Sequence, residues 1–171
     1  MLTGLIVVDG AYKSQFVTGD YRLLQEQIQV MRPLCTEIIV VTQEPKSFYK
    51  VLDLSVRLIT DCLPGNGPLS CLYSGFSLAQ CQDVWVSNGE WTSLTIHAIE
   101  QLLERKRSGF EAAISMVKGV NYPLHGVYDR RCAAKALQLL NIGVTAAEDL
   151  LQEIQWSSIS VMPQEVNAAF Y

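Results

Sequence analysis

Short apolar runs recur along this chain with almost no polar residue inside them, and that pattern restricts the fold more than any other feature. Leu5-Ile6-Val7-Val8, Glu37-Ile38-Ile39-Val40-Val41, Val56-Arg57-Leu58-Ile59, Val84-Trp85-Val86 and Ala112-Ala113-Ile114-Ser115-Met116-Val117 are strand-length and rich in β-branched residues. A strand with one face in water alternates polar and apolar residues, whereas one buried on both faces has no need to. The segments between the runs are long enough for helices. Leu24, Ile28 and Met31 recur at helical spacing before Pro33 ends the stripe, and a helix is expected from Pro68 to Gln80 with proline in its first turn. Another is expected from about Thr92 to Arg107, with Thr92 as its cap and Ile96, Ile99 and Leu103 as its stripe. A short helix near Ser47 to Val51, a strand from Leu124 to Tyr128, helices at Arg130–Leu140 and Ala146–Ile154, and an extended stretch around Ile159–Met162 complete the reading. Doubly buried strands separated by helices imply an α/β fold in three layers, a doubly wound and mostly parallel sheet, here taken as one domain over 1–171.

Such a sheet binds ligands at the carboxyl ends of its strands. Charge narrows what those ligands can be. The net charge is −4, which disfavours nucleic acid or an anionic membrane as the main partner, since both reward clustered cations. The cluster Arg105-Lys106-Arg107 falls at a helix end, where it complements the macrodipole. No apolar run reaches the roughly 18 residues of a membrane span, and the first residues lack the features of a signal peptide. Five cysteines, Cys35, Cys62, Cys71, Cys81 and Cys132, show no zinc spacing. They are expected to be reduced packing residues of a cytoplasmic protein.

Three strand ends carry polar or glycine-rich residues: Asp9-Gly10-Ala11-Tyr12-Lys13, Asp61 with its following loop, and Ser87-Asn88-Gly89-Glu90. The loop Pro64-Gly65-Asn66-Gly67-Pro68 combines two glycines, which permit positive φ and close backbone approach, with two prolines that limit its motion. It leads into a helix whose first N–H groups can meet an anion or the edge of a base. Read alone, it is more simply an ordinary strand-to-helix turn.

The block Asp61-x-x-Pro64-Gly65-x-Gly67-Pro68-Leu69, continuing through Leu72-Tyr73-Ser74-Gly75, resembles the signature of the molybdenum cofactor guanylyltransferases. Met31-Arg32-Pro33-Leu34-Cys35, and Tyr122-Pro123-Leu124 with Tyr128 and Arg130-Arg131, are similar to further stretches of that family. The resemblance implies a Rossmann-like fold of the nucleotide-diphospho-sugar transferase type. It also implies transfer of a guanylyl group from GTP to the phosphate of molybdopterin, with Mg²⁺ as the expected cofactor. By the same resemblance Lys13 and Asp61 are the catalytic candidates, and Gly10, Lys13, Asp61, Pro64, Gly65 and Gly67 would line the nucleotide. Asn88 stands where the family has a metal-binding Asp.

The sequence departs from the family's pattern at two of these places. Several residues of the first loop have no counterpart here, and Asp9 replaces one of its glycines; Asn88 can offer Mg²⁺ a carbonyl oxygen but no charge. The family's segment after the final strand, Asn-x-Asn-Thr-Pro, also has no counterpart. Two alternatives therefore stay open: a non-catalytic homologue that binds a nucleotide or docks a partner, and transfer of another nucleotide, CTP or that of a sugar nucleotide. His97 is expected at the surface. His125, near a strand end, lies within reach of the cleft but is not counted among the site residues.

Overall fold

The apolar runs form strands of one seven-stranded sheet because consecutive side chains feed two different cores. The computed structural model describes residues 1–8, 21–63, 65–88 and 95–162. In chain order the elements are β1 (Leu2–Val8), α1 (Arg22–Met31), β2 (Glu37–Thr42), a 3₁₀ turn (Pro45–Ser47), β3 (Val56–Thr60), α2 (Gly67–Leu78), β4 (Asp83–Asn88), α3 (Ile96–Arg107), β5 (Ala112–Val117), β6 (Val120–Asp129), α4 (Cys132–Asn141), α5 (Ala147–Glu153) and β7 (Trp156–Ser160). The sheet order is β3-β2-β1-β4-β6-β5-β7. Here β6 runs antiparallel to both neighbours, and the other pairs are parallel.

Leu5 and Val7 of β1 pack with Leu69, Leu72 and Phe76 of α2, Ala136 of α4 and Leu150 of α5. Ile6 and Val8, one residue out of step, pack with Leu24, Ile28 and Met31 of α1 and Ile99 and Leu102 of α3. Each fully buried aliphatic side chain contributes about 1.5–3 kcal/mol. A polar residue on either face of a central strand would forfeit that, which accounts for the missing alternation. The mostly parallel three-layer sheet expected from sequence is the one observed.

Differences from the sequence reading arise at element ends. The cap of α3 is Thr95, whose side chain accepts from Ala98 N at 3.2 Å; Thr92 lies outside the described residues. Starting there turns Ile96 outward, 45% exposed, and the buried stripe becomes Ala98, Ile99 and Leu102. The short helix expected near Ser47 is the 3₁₀ turn at Pro45–Ser47. The last strand begins at Trp156, earlier than expected, and Met162 lies beyond it. Cys62 is exposed, which corrects its reading as a packing residue; Cys71, Cys81 and Cys132 are buried. Among the described residues no helix is long and apolar enough to cross a membrane.

The basic cluster does more than complement a dipole. Lys106 is buried at 6% exposure, with its ammonium 2.7 Å from Asp83 Oδ1 and 3.2 Å from Asp129 Oδ2. Those two aspartates face each other across the β4–β6 pair. Arg107 donates from Nε and Nη2 to Asp83 Oδ2, and Arg131 donates to both oxygens of Asp129. Burial opposes ionisation of both carboxyls. It is outweighed by Lys106 and Arg107 at Asp83, and by Arg131, Gln82 and Lys106 at Asp129, so both titrate below the ordinary carboxylate range.

At the other end of β6 the pairing with β5 slips between Ile114 and Ser115. Ile114 faces Gly126 and Ser115 faces Tyr122, which leaves residues 123–125 as a bulge. Tyr128 donates its hydroxyl to the Pro123 carbonyl at 2.6 Å, and Ser115 Oγ lies 3.2 Å from His125 Nδ1. His125 is therefore packed inside the sheet at 1% exposure rather than facing a cleft. Burial pushes its imidazole down to about 3. His97 is exposed, as expected.

Two outcomes follow for stability. Lys106→Met leaves two carboxylates buried without their shared cation and is expected to cost roughly 3–5 kcal/mol in urea unfolding. Arg105→Ala, at an exposed neighbour, is expected to stay within about 0.5 kcal/mol of the parent. The unfolded chain protonates His125 near pH 6.5 and the folded chain only near 3, so the unfolded state binds more protons between those values and stability falls as pH falls. Inside that window His125 should contribute a loss of about 1.4 kcal/mol per pH unit. Unfolding curves of the parent and His125→Gln at several pH values measure it as the difference in slope.

Candidate functional site

The parallel register brings four strand ends to one edge of the sheet. Val8 of β1 pairs with Thr42 of β2, Thr42 with Thr60 of β3, and Val7 with Asn88 of β4. Asp61 follows Thr60 directly and donates its N–H to the Thr42 carbonyl at 3.2 Å. Asp61 and Asn88 thus share an edge but lie three strand intervals apart, roughly 14 Å at about 4.8 Å per interval. That span suits an extended ligand. It is too wide for one metal ion to hold both side chains.

Asp61 is buried at 2% exposure, and its carboxylate is engaged by its own loop and by α2. Oδ1 accepts the Leu63 N–H at 3.0 Å and lies 3.2 Å from Ser74 Oγ. Oδ2 accepts the Ser70 hydroxyl and lies 3.5 Å from Cys71 Sγ. Ser74 Oγ also accepts the Cys62 N–H at 2.9 Å. A carboxylate with this many donors, out of reach of solvent, acts as a brace: it fixes where the loop leaves β3 and where α2 begins. The geometry gives Asp61 a positioning role beneath the loop. Sequence reading overlooked Ser70 and Ser74, although two serines four apart on an otherwise apolar helix face were a visible signal.

Above that brace the loop turns on two glycines. Gly65 has φ +86° and Gly67 φ +67°, in the left-handed region where a side chain is strained. Among the described residues a Cβ on Gly65 would meet nothing within 4 Å; one on Gly67 would meet the Thr145 carbonyl at 3.1 Å. Pro68 has no N–H, and Leu69 gives its own to the Thr145 carbonyl at 3.1 Å. The start of α2 is therefore poorer in anion-binding N–H groups than a bare helix end. Its exposed backbone around Gly65 is better suited to a base or sugar edge than to a triphosphate. Deeper in the same helix, Gly75 lets α2 lie directly on β1, since a Cβ there would fall 2.3 Å from Leu5 Cδ2.

At the β4 end, Asn88 is 9% exposed, and its backbone carbonyl accepts the side-chain amide of Gln27 at 2.9 Å. Ser87 Oγ lies 3.3 Å from Gln27 Oε1. Among the described residues no three His, Cys, Asp or Glu side chains converge as a metal cage would. The one amide offered by Asn88 does not by itself fit Mg²⁺, which takes at least one carboxylate in such sites. Gly10, Lys13, Pro64, Asp9 and Glu90 lie outside the described residues.

Known proteins resemble this chain in sequence and in fold. A Bacillus cytotoxicus protein named "Probable molybdenum cofactor guanylyltransferase" is 25% identical over 133 residues, which span 77% of this chain and 67% of that protein. Two solved structures share the fold: the molybdopterin-guanine dinucleotide biosynthesis protein A of Archaeoglobus fulgidus and the 2-C-methyl-D-erythritol 4-phosphate cytidylyltransferase of Francisella tularensis. The first has TM-score 0.69 at 15% identity, covering 94% of this chain and 84% of that one. The second has TM-score 0.65 at 14% identity, covering 99% and 92%. The family described as the MobA-like NTP transferase domain matches residues 9–157, a stretch that takes in the braced Asp61 loop and the ends of β2, β3 and β4, and the chain belongs to that family.

Proposed function

We propose that this chain is a nucleotidyltransferase that passes a guanylyl group from GTP to the phosphate of a molybdopterin-type cofactor. The observation that carries the reading is the Asp61 loop, braced from below and turning on two glycines of positive φ, at the carboxyl edge of a sheet in a chain of this family. In the proposed reaction an oxygen of the acceptor phosphate forms a bond to the α-phosphorus of GTP. The bond from that phosphorus to the bridging oxygen breaks, and pyrophosphate leaves with the electron pair. Transfers of this type depend on positioning and charge neutralisation more than on covalent help from the protein.

The residues divide that work in space. The backbone at Gly65 and Gly67 would take the base or sugar edge, with Asp61 keeping the loop at its height. Gly10 and Lys13, after β1, would lie along the phosphates, and Lys13 would supply the cation there. Asn88, at the far end of the same edge, would face the reacting phosphate or the acceptor. Mg²⁺ would enter as the companion of the triphosphate, and no step is assigned to it. A second reading, with CTP in place of GTP, is supported by the likeness in fold to the cytidylyltransferase. The non-catalytic reading rests on Asn88 and the altered first loop.

Calorimetric titration separates these readings. GTP with Mg²⁺ is expected to bind at micromolar to millimolar concentration and more tightly than CTP. Tighter CTP would favour the second reading, and no binding of either at several millimolar would overturn the nucleotide reading altogether. Asp61→Asn tests the brace. Losing an ionic acceptor of several buried donors should cost about 1–3 kcal/mol in urea unfolding, and GTP affinity should fall with it. Lost affinity at unchanged stability would instead make Asp61 a direct ligand.

A further inference from the structure

On the buried face of α1 one position breaks the pattern. Leu24, Ile28 and Met31 point into the core, and position 27 shares their face at helical spacing, yet the residue there is Gln, 3% exposed. Placing an amide in an apolar layer costs free energy unless its hydrogen bonds are replaced. Departures of this kind from local pattern concentrate at functional sites. Gln27 has both ends of its amide at one place. Nε2 donates to the Asn88 carbonyl at 2.9 Å, and Oε1 lies 3.3 Å from the Ser87 hydroxyl, which is itself 3.3 Å from the same carbonyl.

Ser87 and Asn88 are the last two residues of β4, and Asn88 is the last to pair with β1. At that point a strand carbonyl usually finds its N–H on a neighbouring strand. Here a helix side chain supplies one. The helix is the element that follows residues 9–20, so the contact joins the segment after β1 to the end of β4.

We infer that Gln27 is a positioning residue: its amide fixes the height and direction at which the chain leaves β4, and so sets Asn88 against the bound nucleotide. The inference rests on the proposed nucleotidyl transfer. Gln27 touches none of the reacting atoms. Its effect on the reaction passes through the Asn88 backbone, where a displacement of about 1 Å is enough to slow a positioned reaction severely.

Gln27→Leu tests it, since leucine keeps the volume and the apolar stripe while removing the amide's hydrogen bonds to the end of β4. Pyrophosphate release from GTP in the presence of molybdopterin should show kcat lowered about tenfold or more, with KM for GTP within about twofold. Hydrogen exchange should quicken in the peptide ending β4 and stay unchanged in β2 and β5. Unchanged kcat per folded molecule together with unchanged exchange at β4 would overturn the inference, even if the variant melts earlier. If the parent releases no pyrophosphate, the proposed function fails, and the exchange comparison alone still decides whether Gln27 holds the strand end. Should Gln27→Leu not fold, Ser87→Ala removes one of the two contacts and is expected to change kcat and exchange in the same direction by less. No change in either would overturn the inference.

Discussion

The ammonium of Lys106 ties the amino end of β4 to the carboxyl end of β6, and the geometry of the site edge depends on that tie. Asp83 and Asp129 stand opposite each other, and both use the same buried cation. The sheet changes direction here, because β6 is antiparallel while β1 and β4 are parallel. Pinning this pair at one end leaves five residues of β4 to reach Asn88 at the other. The height of Asn88 is thus set partly by an ion cluster at the far end of its strand. Buried ion pairs are weak contributors to stability compared with apolar packing, but breaking one is costly. This asymmetry gives the cluster its value as a register pin.

Asp61 does for β3 what Gln27 does for β4. Each is a buried polar side chain spent on the backbone where a strand ends, and each joins that end to a helix, α2 in one case and α1 in the other. Loops at the carboxyl edge of a parallel sheet have few partners of their own. These two contacts fix the strand ends from which two of them leave. Preorganisation of this kind reduces the ordering cost of binding.

The strands and most helices were legible because doubly buried strands leave so plain a pattern, and Leu24, Ile28 and Met31 lay where the 3.6-residue repeat placed them. Helix starts were less legible. The sequence reading put the cap at Thr92, and its place at Thr95 moves Ile96 from the expected core stripe to the surface. The direction of β6 could not be read at all, since residue pattern does not encode strand direction. Lys106 looked like one of three cations at a helix end, and its two carboxylates lie 23 residues away on either side. The Asp61 block identified the family, and its glycines adopt the positive φ that the motif suggests. What the block could not tell was which way the Asp61 carboxylate points. That depends on Ser70 and Ser74, which reach it only after α2 has formed.

The inward aim of Asp61 bears on how such signatures should be interpreted. A residue that reacts with substrate is maintained only while the reaction matters, whereas one that braces its own loop is maintained as long as the domain must fold. The hydrogen bonds among Asp61, Ser70 and Ser74 do work of the second kind, whether or not Asp61 also meets a ligand. A descendant that had abandoned chemistry could therefore keep this stretch of sequence intact, and the stretch would continue to announce ancestry after the activity had gone.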